Sequence, residues 1–274
     1  MSKQSDRNLT ILITGVSSGI GKAVANYFIK QGHTIYGIDL NSDTDISNFF
    51  KADISNEMQL LEIKKQLKEK EITFDAILNF AGIHMMGSFI ETDFNKIQKL
   101  INVNLLGTIL VNKTFYSLLA PKGKILVTSS EVASHDPMPF NGIYHVSKTA
   151  IDCYSQSLRQ ELNLKGNKVI TLRPGAIKTA LCDESLIATQ KLCDSTILYK
   201  NESNNFLYLV KNFMGKPLNS EKIAKLVYKI ITKKHNKLIY KIHYNIGLSL
   251  LGILPKRMQC FIIKKLLNKK AKKN

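Results

Sequence analysis

Between a short apolar run, Leu9 to Thr14, and an amphipathic segment opening at Gly19, the chain reads Thr14-Gly15-Val16-Ser17-Ser18-Gly19-Ile20-Gly21. No other stretch restricts the fold as tightly. Three glycines let the backbone turn sharply, approach a ligand closely and pack a helix against the preceding strand. The helix N-terminus adds free N–H groups and partial positive charge, which together suit a phosphate. The spacing is G-x-x-x-G-x-G, not the commoner G-x-G-x-x-G. Its context carries it: a strand before, a helix after, and an acid, Asp39, closing the next strand. Gly15-x-Ser17-x-Gly19 also fits the nucleophile elbow of hydrolases. That elbow needs an oxyanion loop from an earlier strand, and only one strand precedes Ser17.

The rest of the chain alternates strand and helix. Helix from Gly19 to about Gln31 leads to strand Thr34–Asp39, and a third strand closes on Lys51-Ala52-Asp53-Ile54. Asn56 caps a charged helix to about Glu71, strand Phe74–Asn79 follows, and a long helix is expected from about Asn95 to Leu119. Strand Gly123–Ser130, helix 143–164 and strand Lys168–Leu172 complete the regular part; Asn219 or Ser220 then caps a helix to about Lys233, before Leu238-Ile239-Tyr240. Such alternation predicts an α/β fold, a Rossmann-type doubly wound parallel sheet with helices on both faces, in a single domain. The domain spans 1–245, with residues 180–216 as a mobile flap and 246–274 as a basic, partly apolar extension. Ligands of such sheets bind beyond the carboxyl ends of the strands, where Thr14, Asp39, Asp53, Asn79 and Ser130 collect.

Charge is unevenly placed. Of a net +18, residues 1–215 hold 23 basic and 20 acidic side chains, whereas residues 216–274 hold 16 basic side chains and one acid, Glu221. A basic end on a near-neutral body points to a local contact with an anionic surface. Cys153, Cys182, Cys193 and Cys260 form no C-x-x-C pair, and no histidine sits at ligand spacing, so no metal site is expected. The polar opening residues lack a secretory apolar region, which predicts a cytoplasmic protein. The longest apolar stretch, Ile246 to Leu254, is too short to span a bilayer.

Asp39 can accept hydrogen bonds from both ribose hydroxyls of an adenosine, while a 2′-phosphate would meet its charge. No Lys or Arg occurs between Thr34 and Phe50 to pair that phosphate, so NAD is favoured over NADP. Tyr144 and Lys148 stand at i and i+4 on one helix face. An ammonium about 4 Å from the phenol would lower its pKa from near 10 by at most ~3 units, into the range of a general acid–base.

With these motifs, the sequence over roughly residues 9–180 resembles the classical short-chain dehydrogenase/reductase family. The glycine motif, Asn79-Phe80-Ala81-Gly82, Asn104 within Asn102-Val103-Asn104, Ser130, the Tyr144/Lys148 pair and Arg173-Pro174-Gly175-Ala176-Ile177-Lys178-Thr179 occur in the family's order. The resemblance implies hydride transfer between a nicotinamide and a secondary alcohol, ketone or aldehyde. It implies that Tyr144 exchanges the hydroxyl proton, Lys148 depresses the phenol and binds nicotinamide ribose, Ser130 orients the substrate oxygen (with Ser129 the alternative), and Asn104 holds a relay water. Cofactor contacts carried over are Gly15, Ser17, Ser18, Gly19, Ile20, Gly21, Asp53 and Ile54 at the adenine, Asn79, Ala81, Gly82, Pro174 and Gly175, with Ile177 and Thr179 along the nicotinamide. It also implies a homodimer or homotetramer built through the long helices. Phe80 replaces the family's second asparagine, and the segment from Ser130 to Tyr144 carries an extra residue and Glu131.

His84-Met85-Met86, His135, Met138 and Phe140 are candidates for the substrate mouth. The apolar and lysine-rich residues 246–274 suit either an interfacial helix on anionic lipid or a helix that closes the pocket or meets a second copy. Tyr240, Tyr244 and Phe261 offer little stacking for nucleic acid. A dinucleotide-sensing protein without catalysis is the second functional reading; the intact Ser130, Tyr144 and Lys148 argue against it.

Overall fold

A computed structural model describes residues 7–178, 180–213, 217–234, 236–243 and 246–268. Thr179 and Tyr244, both singled out above, lie outside the described residues.

The first strand, β1 (Thr10–Thr14), shows why a parallel sheet forms here: Ile11 and Ile13 enter the core on one face and Leu12 on the other, all fully buried. Strands covered by helices on both sides need such continuous apolar runs. Helix α1 (Gly19–Lys30), β2 (Thr34–Asp39), β3 (Asn48–Lys51), α2 (Glu57–Glu69) and β4 (Phe74–Asn79) follow. Asn56 caps α2, accepting from the Gln59 N–H at 3.2 Å. β3 ends earlier than expected because its partner ends too: Asp39 stands opposite Lys51, leaving Asp53 and Ile54 in the turn before α2.

The long helix expected over 95–119 is instead α3 (Phe94–Ile101), a π-helical turn over Asn102–Gly107 and α4 (Thr108–Phe115). Its end comes before β5 (Leu119–Thr128), whose first residue pairs with Phe74. Helix α5 (Gly142–Asn163) and β6 (Lys168–Pro174) complete the regular alternation. Residues expected to form a flap are two helices, α6 (Ala180–Ser195) and α7 (Lys200–Phe213), between the short strands β7 (Ile177–Lys178) and β8 (Leu218–Asn219). Their inward side chains, Leu192, Phe206, Leu209 and Val210, pack with Met86, Met138 and Phe140. That burial supplies the order which the mixed sequence conceals. Helix α8 (Ser220–Thr232), capped by Asn219, then β9 (Ile239–Ile242), α9 (Ile246–Ile253) and α10 (Lys256–Leu267) end the described chain.

Seven strands form one parallel sheet in the order β3-β2-β1-β4-β5-β6-β9. This is a Rossmann-type doubly wound fold. Strand order reverses between β1 and β4, so a crevice opens beyond their carboxyl ends, at Thr14 and Asn79. No helix among the described residues is long and apolar enough to cross a membrane.

Candidate active site

The glycine turn closes around that crevice. Gly15 has φ of 78°, and a Cβ there would stand 2.6 Å from the Ala81 nitrogen. At Gly21 a Cβ would reach 2.0 Å from the Gly15 oxygen, so α1 can seat this close only with glycine. Ser18 precedes α1 in extended conformation without capping it through its side chain, and no acid occupies the first turn. The amides of Gly19, Ile20 and Gly21 are thus left to a ligand, and the lack of a first-turn acid keeps the positive end of the dipole available. This arrangement fits a pyrophosphate.

Asp39 ends β2 with both carboxylate oxygens fixed. One accepts from the Ser17 N–H at 2.9 Å and the other from the Asn41 N–H at 3.0 Å, and the Ser17 hydroxyl donates to the Asn41 carbonyl. In this region Lys22, half-buried, pairs with the exposed Asp43 at 3.8 Å. Asp53 accepts from the Ser55 N–H and hydroxyl and presents its flank to the same edge, while Ile54 is buried against Gly107.

Asn79, expected among the cofactor contacts, turns into the framework: its amide donates to Asn112 at 2.9 Å and to the Leu126 carbonyl at 3.1 Å. It lies at the crevice by position but links β4 to β5 and α4 by its side chain. Ala81 donates its N–H to the Thr14 hydroxyl at 3.3 Å. Gly82 is exposed, and a Cβ there would face Asn104 Oδ1 at 3.2 Å and Lys148 Nζ at 3.7 Å.

Asn104 sits in the π-helical turn and is fully committed. Its Oδ1 accepts from the Ile83 N–H at 2.8 Å, its amide donates to the Ile83 carbonyl at 2.9 Å and to the Ser147 hydroxyl at 3.1 Å, and its own carbonyl accepts from Thr108 at 3.0 Å. Such turns are inserted where a helix must present a group it otherwise could not. Here the turn aligns one side chain with the loop after β4 and with α5 together.

The two serines after β5 separate cleanly. Ser129 turns back to donate to the Lys148 carbonyl at 3.0 Å, whereas the Ser130 hydroxyl hydrogen-bonds the Tyr144 phenol. Tyr144 is 8% exposed. Burial pushes its phenol up to about 12, the nearby Glu131 carboxylate adds in the same direction, and the Ser130 bond opposes both. The phenol is thus raised by burial rather than lowered. The Lys148 ammonium lies 5.7 Å from the ring centroid and donates to the Thr128 carbonyl at 3.2 Å. Burial also pulls Lys148 down, to about 8. Helical spacing places the pair on one face, and desolvation is the largest influence on both groups.

Pro174 ends β6, and the following Gly175 donates to the Ile242 carbonyl at 2.8 Å and backs onto Glu131. Ile177 is buried in the sheet core.

Beside the phenol, His84 meets Tyr144 edge-on with ring centroids 4.6 Å apart, and it lines a pocket of about 510 Å³ with Met85, Met86, Ile187 and Leu192. Burial drives His84 down to about 4. Met138 and Phe140 pack beneath this pocket in the cluster shared by α6, α7 and α10 rather than in its lining. Glu91 is a lining residue that no sequence pattern marks. Its carboxylate accepts from the Thr196 hydroxyl and from the N–H groups of Ile197 and Leu198, tying the α6–α7 connection to the loop after β4.

Residues 9–189 match the model of a family described as short chain dehydrogenase. The chain belongs to the short-chain dehydrogenase family of oxidoreductases. A 3-ketodihydrosphingosine reductase from Bacteroides thetaiotaomicron is 26% identical over 229 residues, 82% of this chain and 84% of the relative. An NADPH-dependent 1-acyldihydroxyacetone phosphate reductase from Schizosaccharomyces pombe is 30% identical over 186 residues, 64% of this chain and 62% of that protein. Among solved structures, a short chain dehydrogenase family protein from Francisella tularensis superposes with a TM-score of 0.72 at 25% identity, covering 86% of this chain and 97% of the other.

Proposed function

We propose that the protein reduces a hydrophobic ketone or aldehyde to the alcohol, and catalyses the reverse oxidation, with Ser130, Tyr144, Lys148 and Asn104 as its working residues. Gly15–Gly21, Asp39, Asp53, Ile54, Ala81, Gly82 and Gly175 would hold a nicotinamide dinucleotide, which would supply the hydride chemistry. The observation that carries this reading is the phenol of Tyr144, hydrogen-bonded to the Ser130 hydroxyl with the Lys148 ammonium beside its ring.

The Ser130 hydroxyl and the Tyr144 phenol are placed to hold one substrate oxygen between them. A phenol pushed to about 12 stays protonated at neutral pH, which suits a proton donor to a developing alkoxide. Lys148 has three donors and spends one on Thr128, leaving others for a ribose hydroxyl. Asn104 positions the Ile83 backbone and Ser147 around this group, and a relay water near it would return the proton to solvent. Met85, Met86, Ile187 and Leu192 favour an apolar substrate body, in line with relatives named as a 3-ketodihydrosphingosine reductase and a 1-acyldihydroxyacetone phosphate reductase.

NAD is the preferred form in this reading, because the fixed carboxylate of Asp39 repels a 2′-phosphate. The test is a panel of ketones, aldehydes and alcohols of increasing chain length, followed by nicotinamide absorbance with NAD(H) and NADP(H) separately. Turnover that grows with chain length and vanishes in Tyr144→Phe supports the proposal. Binding of dinucleotide with no turnover of any panel member would favour a sensing protein instead.

A further inference from the structure

The helix α10 has two faces, and only one of them has an occupant. On the inner face Ile263 and Leu267 pack into the cluster with α7, Met86 and Phe140, and Gln259 on the same side is buried like Leu267. Asp136 holds both Lys256 and Gln259, and Asn205 donates to the Leu267 carbonyl at 2.6 Å, so the roll of the helix is fixed. At 100° per residue the opposite side is then Arg257, Met258, Phe261, Lys264 and Lys265. Phe261 stands at its centre, 66% exposed, with Met258 50% exposed beside it. The preceding helix α9 shows Leu250 at 61% and Ile253 at 78% exposed.

We propose that this outward face of α9 and α10 docks on an anionic lipid surface. Residues 246–274 hold eight basic side chains and no acid, so the partner must be anionic. An eight-residue apolar helix is too short to span and is suited to lie at the headgroup boundary, with an aromatic ring anchored and lysines reaching to phosphates. A second copy of the chain offers the same cationic face and is repelled by it. The proposal concerns attachment and stands apart from the assigned reaction.

The test is flotation of the full chain with vesicles of phosphatidylcholine alone and of phosphatidylcholine with phosphatidylglycerol, at low and high salt. Co-flotation with the anionic vesicles only, weakened by salt, is expected. The double change Lys264→Ser with Lys265→Ser should lower partition by on the order of tenfold. Phe261→Ser should lower it while preserving its salt dependence, and circular dichroism confirms that each variant is folded. Failure to float, equal binding to neutral vesicles, or binding unchanged in both folded variants overturns the proposal. So does a shift of duplex DNA without flotation, which assigns the face to nucleic acid, or a smaller particle on size exclusion in Phe261→Ser, which assigns it to subunit contact.

Discussion

His84 presents its imidazole edge-on to the ring of Tyr144 while also lining the pocket that holds Met85 and Met86. Burial keeps that imidazole neutral, with its folded value near 4 against 6.5 when solvated. Between those values the unfolded chain binds the extra proton, so stability rises with pH across the window and is lost as pH falls through it. The contribution is at most about 3 kcal/mol. His84→Phe, which keeps a ring against Tyr144, should flatten the acid limb of a melting-temperature profile between pH 4 and 6.5. An identical limb in the variant would refute this role.

Tyr144→Phe deletes only the hydroxyl to which the proposed reaction assigns the proton transfer. Turnover should fall by about a thousandfold, within the usual range for a lost general acid. Dinucleotide affinity, read by calorimetry, should change no more than a few-fold, because the glycine turn and Asp39 are untouched.

A pH–rate profile reads Lys148 rather than the phenol. Its cation persists below about 8 and is lost above, while the phenol near 12 remains protonated throughout. Carbonyl reduction should therefore decline as pH rises through about 8. Lys148→Arg, which cannot deprotonate there, should turn over more slowly but without that decline. A wild-type profile flat to pH 10 would contradict the assignment.

In the proposed reading Asp39 is the gate against a 2′-phosphate. Asp39→Ser combined with Leu40→Arg should raise KM for NAD by at least about tenfold and lower it for NADP, since a charge–charge repulsion becomes a pair. Unchanged KM values for both cofactors would show that the adenosine ribose lies elsewhere.

Glu91 holds the α6–α7 connection by three hydrogen bonds but touches none of the proposed working residues. Glu91→Ala should raise KM for the carbonyl substrate with kcat little altered, as the pocket wall loosens. Acidification should mimic it weakly, because the bonds from Thr196 and Leu198 hold the carboxyl below its ordinary range.

The fold was legible because its signals are local. Alternating apolar runs gave the strands, and Gly15, Gly19 and Gly21 marked the crevice before any contact was known. What escaped depends on distant partners. The π-helical turn at Asn102–Gly107 follows from Asn104 bonding Ile83 and from Gly107 meeting Ile54, neither of which spacing reveals. Helices α6 and α7 are ordered by residues as remote as Met86 and Phe140. Spacing is also incomplete at Tyr144: i and i+4 guarantee a shared face, while burial, Ser130 and Glu131 act on the phenol from outside the helix pattern.

One contact carries further than its size suggests. Asp136 lies on the segment between Ser130 and Tyr144 and grips Lys256 and Gln259 at the start of α10. The tail helix is thereby pinned to the segment that joins Ser130 to Tyr144. Removing α10 should therefore release that segment, which a shorter chain ending before Lys256 would reveal as lower turnover than the full chain.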